Sequence, residues 1–332
     1  TGNPAVNALG LVLVLVCVTV VLRGIDPVIR YGPEQGVYLP SASAALPALG
    51  SPAGTPSSMC STRGGSPSSV VSRAFYSNSM GQNRGFNVYL PPGYSTYTRL
   101  RYPVLYLLHG DPGRHRDWIN FGVQKLLDAG IASGSLPPVI AVMPDGNGKV
   151  SSAAEWANRW DGRDPVEQSV LELIGLVDRE YRTMPDRQDR IIAGLSSGGF
   201  GATNLAARHP DMFGAAISLS GYFVAQGPVF GGDRAYMRAN SPLYVVQDKP
   251  ASSPRFVLVV GDKDGYFTQA ARQFDAELSR LKVKHDLVLL PGAHSWTVWV
   301  NGLAIGLERI KPMVSAPSGS GSDSTVSNCA FA

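Results

Sequence analysis

The sequence predicts an α/β fold in which a mostly parallel central sheet, opened by an antiparallel hairpin, carries helices on both faces. Three observations predict it. Short apolar runs alternate with amphipathic segments between residues 70 and 312. One of these runs leads directly into a Gly-rich motif and a small-residue helix. A loop that contains a histidine follows the last run.

The composition is typical of a globular domain with flexible flanks. Hydrophobic residues make up 44% of the chain and charged residues 16%, and the 37 Gly and 25 Pro are concentrated outside the central part, so disorder throughout is excluded. The net charge of +4 is scattered along the chain. Its densest basic group, Arg114, His115 and Arg116, lacks interleaved aromatic residues, so no nucleic-acid partner is predicted.

Residues 1–30 are predicted to contain a membrane helix and its flank. Ala5 to Leu22 carries no charge and would span about 27 Å as a helix, nearly the thickness of a bilayer core. A cleaved signal peptide is the alternative. It fits less well because the run is long, no basic residues precede it and no small-x-small cleavage site follows. We therefore expect the protein to be anchored to a membrane through this segment.

Residues 31–69 are predicted to form a flexible stalk rich in Pro, Ser, Gly and Ala, and residues 313–332 a flexible tail. Arg23 and Arg30 favour a cytoplasmic location for the residues after the helix. The stalk favours a domain held away from the membrane, and we expect residues 70–312 to lie outside the cytoplasm.

Two of the three cysteines flank the folded domain. Cys60 lies in the stalk and Cys329 in the tail. A disulfide between them and two unrelated exposed thiols are both compatible with the sequence.

The predicted sheet opens with two strands, Val70–Ser77 and Arg84–Leu90, because a polar turn separates them. The later runs are almost continuously apolar, which is typical of parallel strands buried on both faces. They are Val104–Leu108, Val139–Met143, Arg190–Ala193, Ala215–Leu219, Phe256–Val260 and Asp286–Leu290.

Segments with helical spacing lie between these strands. Asp164 and Pro165 form a suitable N-cap and first-turn pair for the first of them. The predicted helices are Val166–Tyr181, Gly201–His209, Thr268–Leu281 and Trp299–Ile310.

The motif that carries chemistry is GLSSG at residues 194–198, the only Gly-x-Ser-x-Gly in the sequence. Its small residues permit a strained turn that holds the Ser196 hydroxyl clear of the sheet. The pattern alone is weak. However, the apolar strand before it and the small-residue helix after it supply the context that a nucleophile elbow requires. These residues predict an α/β-hydrolase fold with Ser196 as nucleophile.

A serine nucleophile needs a general base, and His294 is the histidine best placed to serve as one. It lies in the loop PGAHSW, between the last predicted strand and the last helix, and it is the last histidine in the chain. In this fold the base comes from such a loop at the carboxyl edge of the sheet.

The acid that orients the histidine is expected after the strand between Ser196 and His294. The segment GDKD offers Asp262 and Asp264 at this position. Asp262 follows Gly261 directly and can instead bond to backbone amides in a turn, so Asp264 is preferred, although either aspartate could fill such a turn role.

The oxyanion hole is expected to combine the backbone N–H of Ser197 with that of Asp111 in the early loop HGDPG. His109, Asp111, His115 and Asp117 have the look of a metal cluster. Because the His-Gly turn has a sufficient structural explanation, no metal is predicted, and no phosphate or dinucleotide motif indicates a cofactor.

Seven colinear motifs between Ser72 and Ile310 resemble one family of α/β-hydrolases, which includes S-formylglutathione hydrolases, feruloyl esterase domains and actinobacterial mycolyltransferases. They are FNVYLPPGY, YPVLYLLHG, VMPDG, VDREYRT, GLSSGGFGA, RHPDMFGAAISLSG and PGAHSW. The resemblance implies Ser196 as nucleophile, His294 as base and Asp264, the last residue of a G-x-x-D pattern, as acid. The chain departs from many relatives in placing the acidic Asp111 after His-Gly, so its side chain must point away from the oxyanion.

The resemblance implies a serine esterase that acts on acyl esters. It leaves open an envelope acyltransferase of the mycolyltransferase type, because both reactions proceed through the same acyl-enzyme. Residues 222–254 are expected to cap the site, with Tyr222, Phe223 and Trp296 as pocket residues, although ordinary packing would also explain each aromatic ring.

Two other classes of protein fit less well. A non-catalytic hydrolase-like binding domain usually loses members of the triad, and here all three are present. A peptidase of this fold would need an additional substrate-channel domain, for which the chain has no residues.

Overall fold

The computed structural model describes residues 65–319. The predicted membrane helix at residues 5–22, most of the predicted stalk, and Cys60 and Cys329 lie outside this range. Within it, no helix is both long enough and apolar enough to cross a bilayer.

The core of the fold is an eight-stranded sheet in the order β1-β2-β5-β4-β6-β7-β8-β9. The hairpin β1–β2 is antiparallel, β2 is antiparallel to β5, and the remaining neighbours are parallel. The strands are β1 Ser69–Ser77, β2 Gln82–Leu90, β4 Val104–Leu108, β5 Ile140–Pro144, β6 Arg190–Leu195, β7 Ala215–Leu219, β8 Arg255–Gly261 and β9 His285–Leu290, with a separate small pair, β3 Leu100–Arg101 and β10 Ser318–Gly319.

Helices connect the parallel strands. Residues 65–319 contain eight helices, and two short ones follow β7 in the segment that was expected to cap the site. The helices are α1 Asp117–Asn120, α2 Val123–Ala132, α3 Val166–Glu180, α4 Ser197–Arg208, α5 Arg234–Ala239, α6 Pro242–Asp248, α7 Tyr266–Arg280 and α8 Trp296–Ile310.

The central strands are buried on both faces, as their apolar runs predicted. Every residue of β4 to β7 is buried. Alternate side chains enter two different core clusters: Tyr106 and Ile192 pack on one face of the sheet, and Leu105 and Ile191 on the other. This alternation follows from the two-residue period of a strand. The predicted fold, an α/β-hydrolase sheet opened by an antiparallel hairpin, is confirmed.

The predicted N-cap of α3 is wrong. Pro165 occupies the N-cap position and has no capping side chain, and the Asn158 side-chain oxygen accepts a 3.1 Å hydrogen bond from the Gln168 N–H in the first turn. The Asp164 carboxylate instead accepts hydrogen bonds from the backbone N–H groups of Lys149, at 2.6 Å, and Val150, at 2.9 Å. The N–H groups that Asp164 binds therefore belong to the loop before it, and not to the first turn of the helix as the local pattern predicted.

The described structure extends slightly beyond residues 70–312 at both ends. Residue 69 already pairs with β2, and the residues after α8 continue to a short strand that pairs with β3. On the way, the backbone N–H of Ser315 donates a 2.9 Å hydrogen bond to the Asp189 carboxylate. The first seven residues of the predicted tail thus pack against the domain.

Candidate active site

Ser196 lies at a sharp turn between β6 and α4. Its backbone has φ 54° and ψ −121°, a conformation that L-residues rarely adopt. The turn requires glycine on both sides, since a Cβ on Gly194 would lie 2.2 Å from the Gly198 carbonyl oxygen, and one on Gly198 would lie 2.5 Å from the carbonyl oxygens of Leu108 and His109. This close packing explains the Gly-x-Ser-x-Gly spacing.

The structure brings Ser196, His294 and Asp264 into one hydrogen-bonded chain. The Ser196 hydroxyl donates to His294 Nε2 at 3.0 Å. His294 Nδ1–H donates to the two carboxylate oxygens of Asp264 at 3.1 and 3.2 Å. The Asp264 side chain is only 2% exposed and that of His294 is 24% exposed, so the acid is enclosed while the base remains open to substrate and water.

Asp262 bonds to a different loop, and not to the amides of its own turn. Its carboxylate accepts a 2.9 Å hydrogen bond from the backbone N–H of Gly292, and the Lys263 N–H donates to the Gly292 carbonyl at 2.8 Å. These bonds tie the loop after β8 to the loop that carries His294. One aspartate of the GDKD segment therefore holds the loops together, and the other orients the histidine.

Two aromatic rings hold the imidazole of His294. Phe267, in the first turn of α7, stacks on it with ring centroids 4.1 Å apart and an interplanar angle of 21°. Trp299, in α8, meets it edge-on at 4.8 Å. Sequence reasoning missed both contacts. The only local signal was their proximity along the chain to Asp264 and His294.

Trp296, one of the predicted pocket residues, packs mainly against helices. It stacks on Phe121 at 3.9 Å, with rings 4° from parallel, and meets Trp118 at 5.4 Å. Both partners belong to the segment around α1, before α2. Trp296 thus links α8 to this segment, and Trp299 is the tryptophan that touches His294.

The segments that carry the two predicted oxyanion donors both adjoin the nucleophile. Ser197 is the first residue of α4, where backbone N–H groups have no partner within the helix. The Gly110–Asp111 peptide approaches from the end of β4, since a Cβ on Gly110 would lie 3.3 Å from the Ser196 Cβ. The Asp111 side chain is exposed.

His109 holds the loop after β4 through both of its ring nitrogens. Nδ1 donates to the Gly110 carbonyl at 2.8 Å, and Nε2 accepts from the Gly146 N–H at 2.9 Å. Burial lowers the pKa of His109, which favours the neutral ring that this pattern requires. In residues 65–319, no group of three or more His, Cys, Asp or Glu side chains is arranged to bind a metal ion.

Asp145, at the end of β5, lies behind this loop and is held by polar partners. Its carboxylate accepts hydrogen bonds from His115 Nδ1 at 3.1 Å and from the Asn147 N–H at 3.0 Å, and Arg84 lies 3.9 Å away. Burial favours a higher pKa. The partners outweigh it and lower the pKa of Asp145 from 3.8 to about 2.

We expect Asp145→Asn to remove a pH-dependent part of the stability worth about 2 kcal/mol. Because the pKa is lower in the folded protein than in the unfolded chain, this contribution is present above about pH 4 and is lost as the pH falls toward about 2. Urea unfolding at several pH values measures it. The difference in unfolding free energy between wild type and variant should shrink over this range, and a difference independent of pH would contradict the expectation.

Tyr222 and Phe223 separate at the end of β7. The Tyr222 ring stacks on Phe200 of α4 at 4.8 Å, and its hydroxyl donates a hydrogen bond to the Glu155 carboxylate. The Phe223 ring stacks on Phe274 of α7 at 4.3 Å and belongs to the main core. Of this pair, the structure places Tyr222 beside the site and Phe223 in ordinary packing.

The family model described as "Putative esterase" matches residues 77–310. Esterase Rv1288 of Mycobacterium tuberculosis (strain ATCC 25618 / H37Rv) is 30% identical over 256 residues, which cover 66% of this chain and 54% of that protein. The endo-1,4-beta-xylanase/feruloyl esterase of Xylanibacter ruminicola is 36% identical over 155 residues, which cover 44% of this chain and 21% of that protein. The chain therefore spans only part of the length of these relatives.

Solved structures agree on the fold. A ferulic acid esterase superposes with a TM-score of 0.68 at 27% identity, covering 75% of this chain and 99% of that one. The S-formylglutathione hydrolase FrmB of Staphylococcus aureus has a TM-score of 0.63 at 21% identity, covering 74% and 99%. Together with the family match over residues 77–310, the elbow and the strand order place the chain in the esterase family of α/β-hydrolases.

Proposed function

We propose that the protein is a serine esterase that hydrolyses carboxylic acyl esters through an acyl-enzyme intermediate. The observation that carries the proposal is the hydrogen-bonded chain from the Ser196 hydroxyl through the His294 imidazole to the enclosed Asp264 carboxylate. Such a chain activates a hydroxyl that would otherwise be a weak nucleophile.

The reaction begins when Ser196 Oγ attacks the ester carbonyl carbon and its proton passes to His294 Nε2. The backbone N–H groups of Ser197 and Asp111 stabilise the oxyanion of the tetrahedral intermediate. When this intermediate collapses, the imidazolium protonates the departing alcohol and the acyl group stays on Ser196. Water, deprotonated by His294, then attacks the acyl-enzyme, and the acid leaves as the proton returns to Ser196.

The Asp264 carboxylate supports both halves of this cycle. It fixes the tautomer in which Nδ1 carries the proton, and this leaves Nε2 able to accept the proton of Ser196. It also stabilises the positive charge that the imidazole gains in each step. Phe267 and Trp299 restrict the ring to the plane in which these two hydrogen bonds form.

The names of the relatives support ester chemistry in general terms. We extend to this chain the cleavage of an ester between a carboxylic acid and an alcohol, as the words esterase and feruloyl esterase imply for those proteins. An acyltransferase would use the same acyl-enzyme and an alcohol in place of water. We also propose tethering to a membrane through residues 5–22, on the basis of their sequence alone.

The acyl-enzyme gives the direct test. We expect p-nitrophenyl acetate to produce a rapid burst of p-nitrophenol and, after acid quenching, one acetyl group on the peptide that contains Ser196. Pre-treatment with an alkyl fluorophosphonate should block both. An acetyl group found on another residue, or steady turnover with the Ser196 peptide blocked, would refute the mechanism. Adding short alcohols and measuring the ratio of transferred to hydrolysed product then separates the esterase from the acyltransferase.

A further inference from the structure

Glu155 stands out near the proposed active site because nothing in the catalytic cycle uses it. It lies in the loop between β5 and α3, half-buried, at the edge of the sheet where Ser196 lies. Glu155 has φ 52° and the next residue, Trp156, has φ 56°, so two consecutive non-glycine residues adopt the left-handed conformation. Such conformations persist only where the surroundings hold them, and they concentrate at functional sites.

The surroundings that hold this loop belong to the active site itself. Trp156 is 2% exposed, and its indole N–H donates a 3.1 Å hydrogen bond to the His109 carbonyl oxygen. Its ring lies against the His109 ring at 4.7 Å. His109 precedes Gly110, where an added Cβ would lie 3.3 Å from the Ser196 Cβ. The strained loop is thereby fixed to the segment that carries the proposed oxyanion donor Asp111.

Contacts lead from Glu155 around the nucleophile to the base. Its carboxylate accepts a hydrogen bond from the Tyr222 hydroxyl. The Tyr222 ring lies 6.5 Å from the Phe267 ring, which stacks on His294. Glu155 therefore occupies the side of the site between the β4 loop and the residues after β7.

The Glu155 carboxylate has little compensation for its charge. Within residues 65–319, no Lys, Arg or His forms an ion pair with it, and Tyr222 supplies its identified hydrogen bond. Burial raises the pKa of the Glu155 carboxyl, the Tyr222 hydrogen bond opposes this, and the nearby Asp111 carboxylate raises it further. A carboxylate in this position has spare acceptor capacity and a negative field directed at whatever binds beside Ser196.

We propose that Glu155 is a specificity-determining residue: it favours esters that carry a hydroxyl group several carbon atoms from the scissile bond and disfavours esters that carry a carboxylate there. This inference rests on the proposed esterase function. A substrate hydroxyl satisfies the free acceptor positions through a charge-assisted hydrogen bond. A substrate carboxylate meets like charge from both Glu155 and Asp111 in a partly desolvated site.

Both the acyl part and the alcohol part of an ester lie beside the nucleophile, so the test uses two matched series. In the first, ethyl esters of hexanoate, 6-hydroxyhexanoate and adipate vary the end of the acyl chain. In the second, butyrate esters of butanol, 1,4-butanediol and 4-hydroxybutanoate vary the end of the alcohol. At pH 8, kcat/KM of the hydroxyl and carboxylate esters is divided by that of the methyl-terminated ester of the same series.

In wild type we expect the hydroxyl ratio to exceed one and the carboxylate ratio to fall well below one in at least one series. Glu155→Gln keeps an acceptor for the Tyr222 hydroxyl but removes the charge, and should raise the carboxylate ratio about tenfold. Glu155→Ala also removes the acceptor and should bring the hydroxyl ratio to about one. The series that responds identifies the part of the substrate that lies beside Glu155.

Asp211→Asn is the matched control, since it removes one negative charge from an exposed turn between α4 and β7, at the opposite edge of the sheet. It should leave both ratios unchanged. Carboxylate ratios that stay unchanged in Glu155→Gln in both series, or that rise equally in Asp211→Asn, would overturn the proposal. If wild type hydrolysed neither methyl-terminated ester, the result would instead count against the esterase function. The two failures are therefore distinguishable.

Discussion

Ser196→Ala is expected to reduce kcat for acyl-ester hydrolysis by on the order of 10³-fold or more. The substitution removes the oxygen that attacks the carbonyl carbon, and neither His294 nor the backbone donors can replace it. The residual rate should reflect only binding and oxyanion stabilisation. Initial rates with p-nitrophenyl acetate measure the loss.

The fold should survive this change. The hydroxyl lies at a surface turn and bonds to His294, so its removal leaves the core clusters unaltered. Ser133→Ala is a suitable control, because this exposed serine lies between α2 and the start of β5, at the edge of the sheet opposite Ser196. It should retain full activity. If Ser196→Ala kept more than one tenth of the wild-type rate while unfolding at the same temperature, another nucleophile would be at work.

The parts of the fold that could be predicted from sequence are those that local patterns determine. Parallel strands buried on both faces need continuous apolar runs, and each such run became a strand within one or two residues of its predicted ends. The predicted burial is wrong for β9, which lies at the edge of the sheet and is only partly buried. The elbow could also be predicted, because its Gly-x-Ser-x-Gly pattern is local, although the packing that requires Gly198 involves the distant carbonyls of Leu108 and His109. His294 followed from the position of its loop after the last strand.

Contacts between distant segments could not be predicted in the same way. The local sequence around Asp164 is typical of a helix cap, but its carboxylate accepts hydrogen bonds from the backbone N–H groups of Lys149 and Val150 instead. The same limit applies to Phe267, whose stacking on His294 depends on the angle at which α7 leaves the end of β8. Glu155 had no sequence signal, because its importance comes from a strained loop conformation and from a tyrosine 67 residues further along the chain.

Helix α4 starts earlier in the chain than the helical spacing predicted. Helical spacing indicated a start at Gly201, but α4 begins at Ser197, because Ser196 occupies the N-cap position in a strained conformation. The four additional residues form the first turn of the helix. The N–H of Phe200 donates to the Ser196 carbonyl at 3.1 Å, and the N–H groups before it include the Ser197 donor proposed for the oxyanion hole.

Asp264→Asn is expected to lower kcat on the order of 10³- to 10⁴-fold, with a much smaller change in KM. An asparagine can present its NH₂ group to His294 Nδ1, which favours the tautomer with the proton on Nε2. That tautomer cannot accept the proton of Ser196. The loss therefore arises although the side chain keeps its shape and its place in the structure.

The neighbouring aspartate supplies a matched control for this experiment. Asp262→Asn makes the same chemical change two residues away, in a side chain that bonds to the Gly292 N–H instead of to His294. Its amide oxygen can still accept that hydrogen bond, so kcat should stay within about fivefold of wild type. Steady-state kinetics of both variants, with thermal unfolding to verify the fold, distinguish the two aspartates. If Asp262→Asn caused the larger loss, the orienting role would belong to Asp262, and the 3.1 Å contact between His294 and Asp264 would be structural.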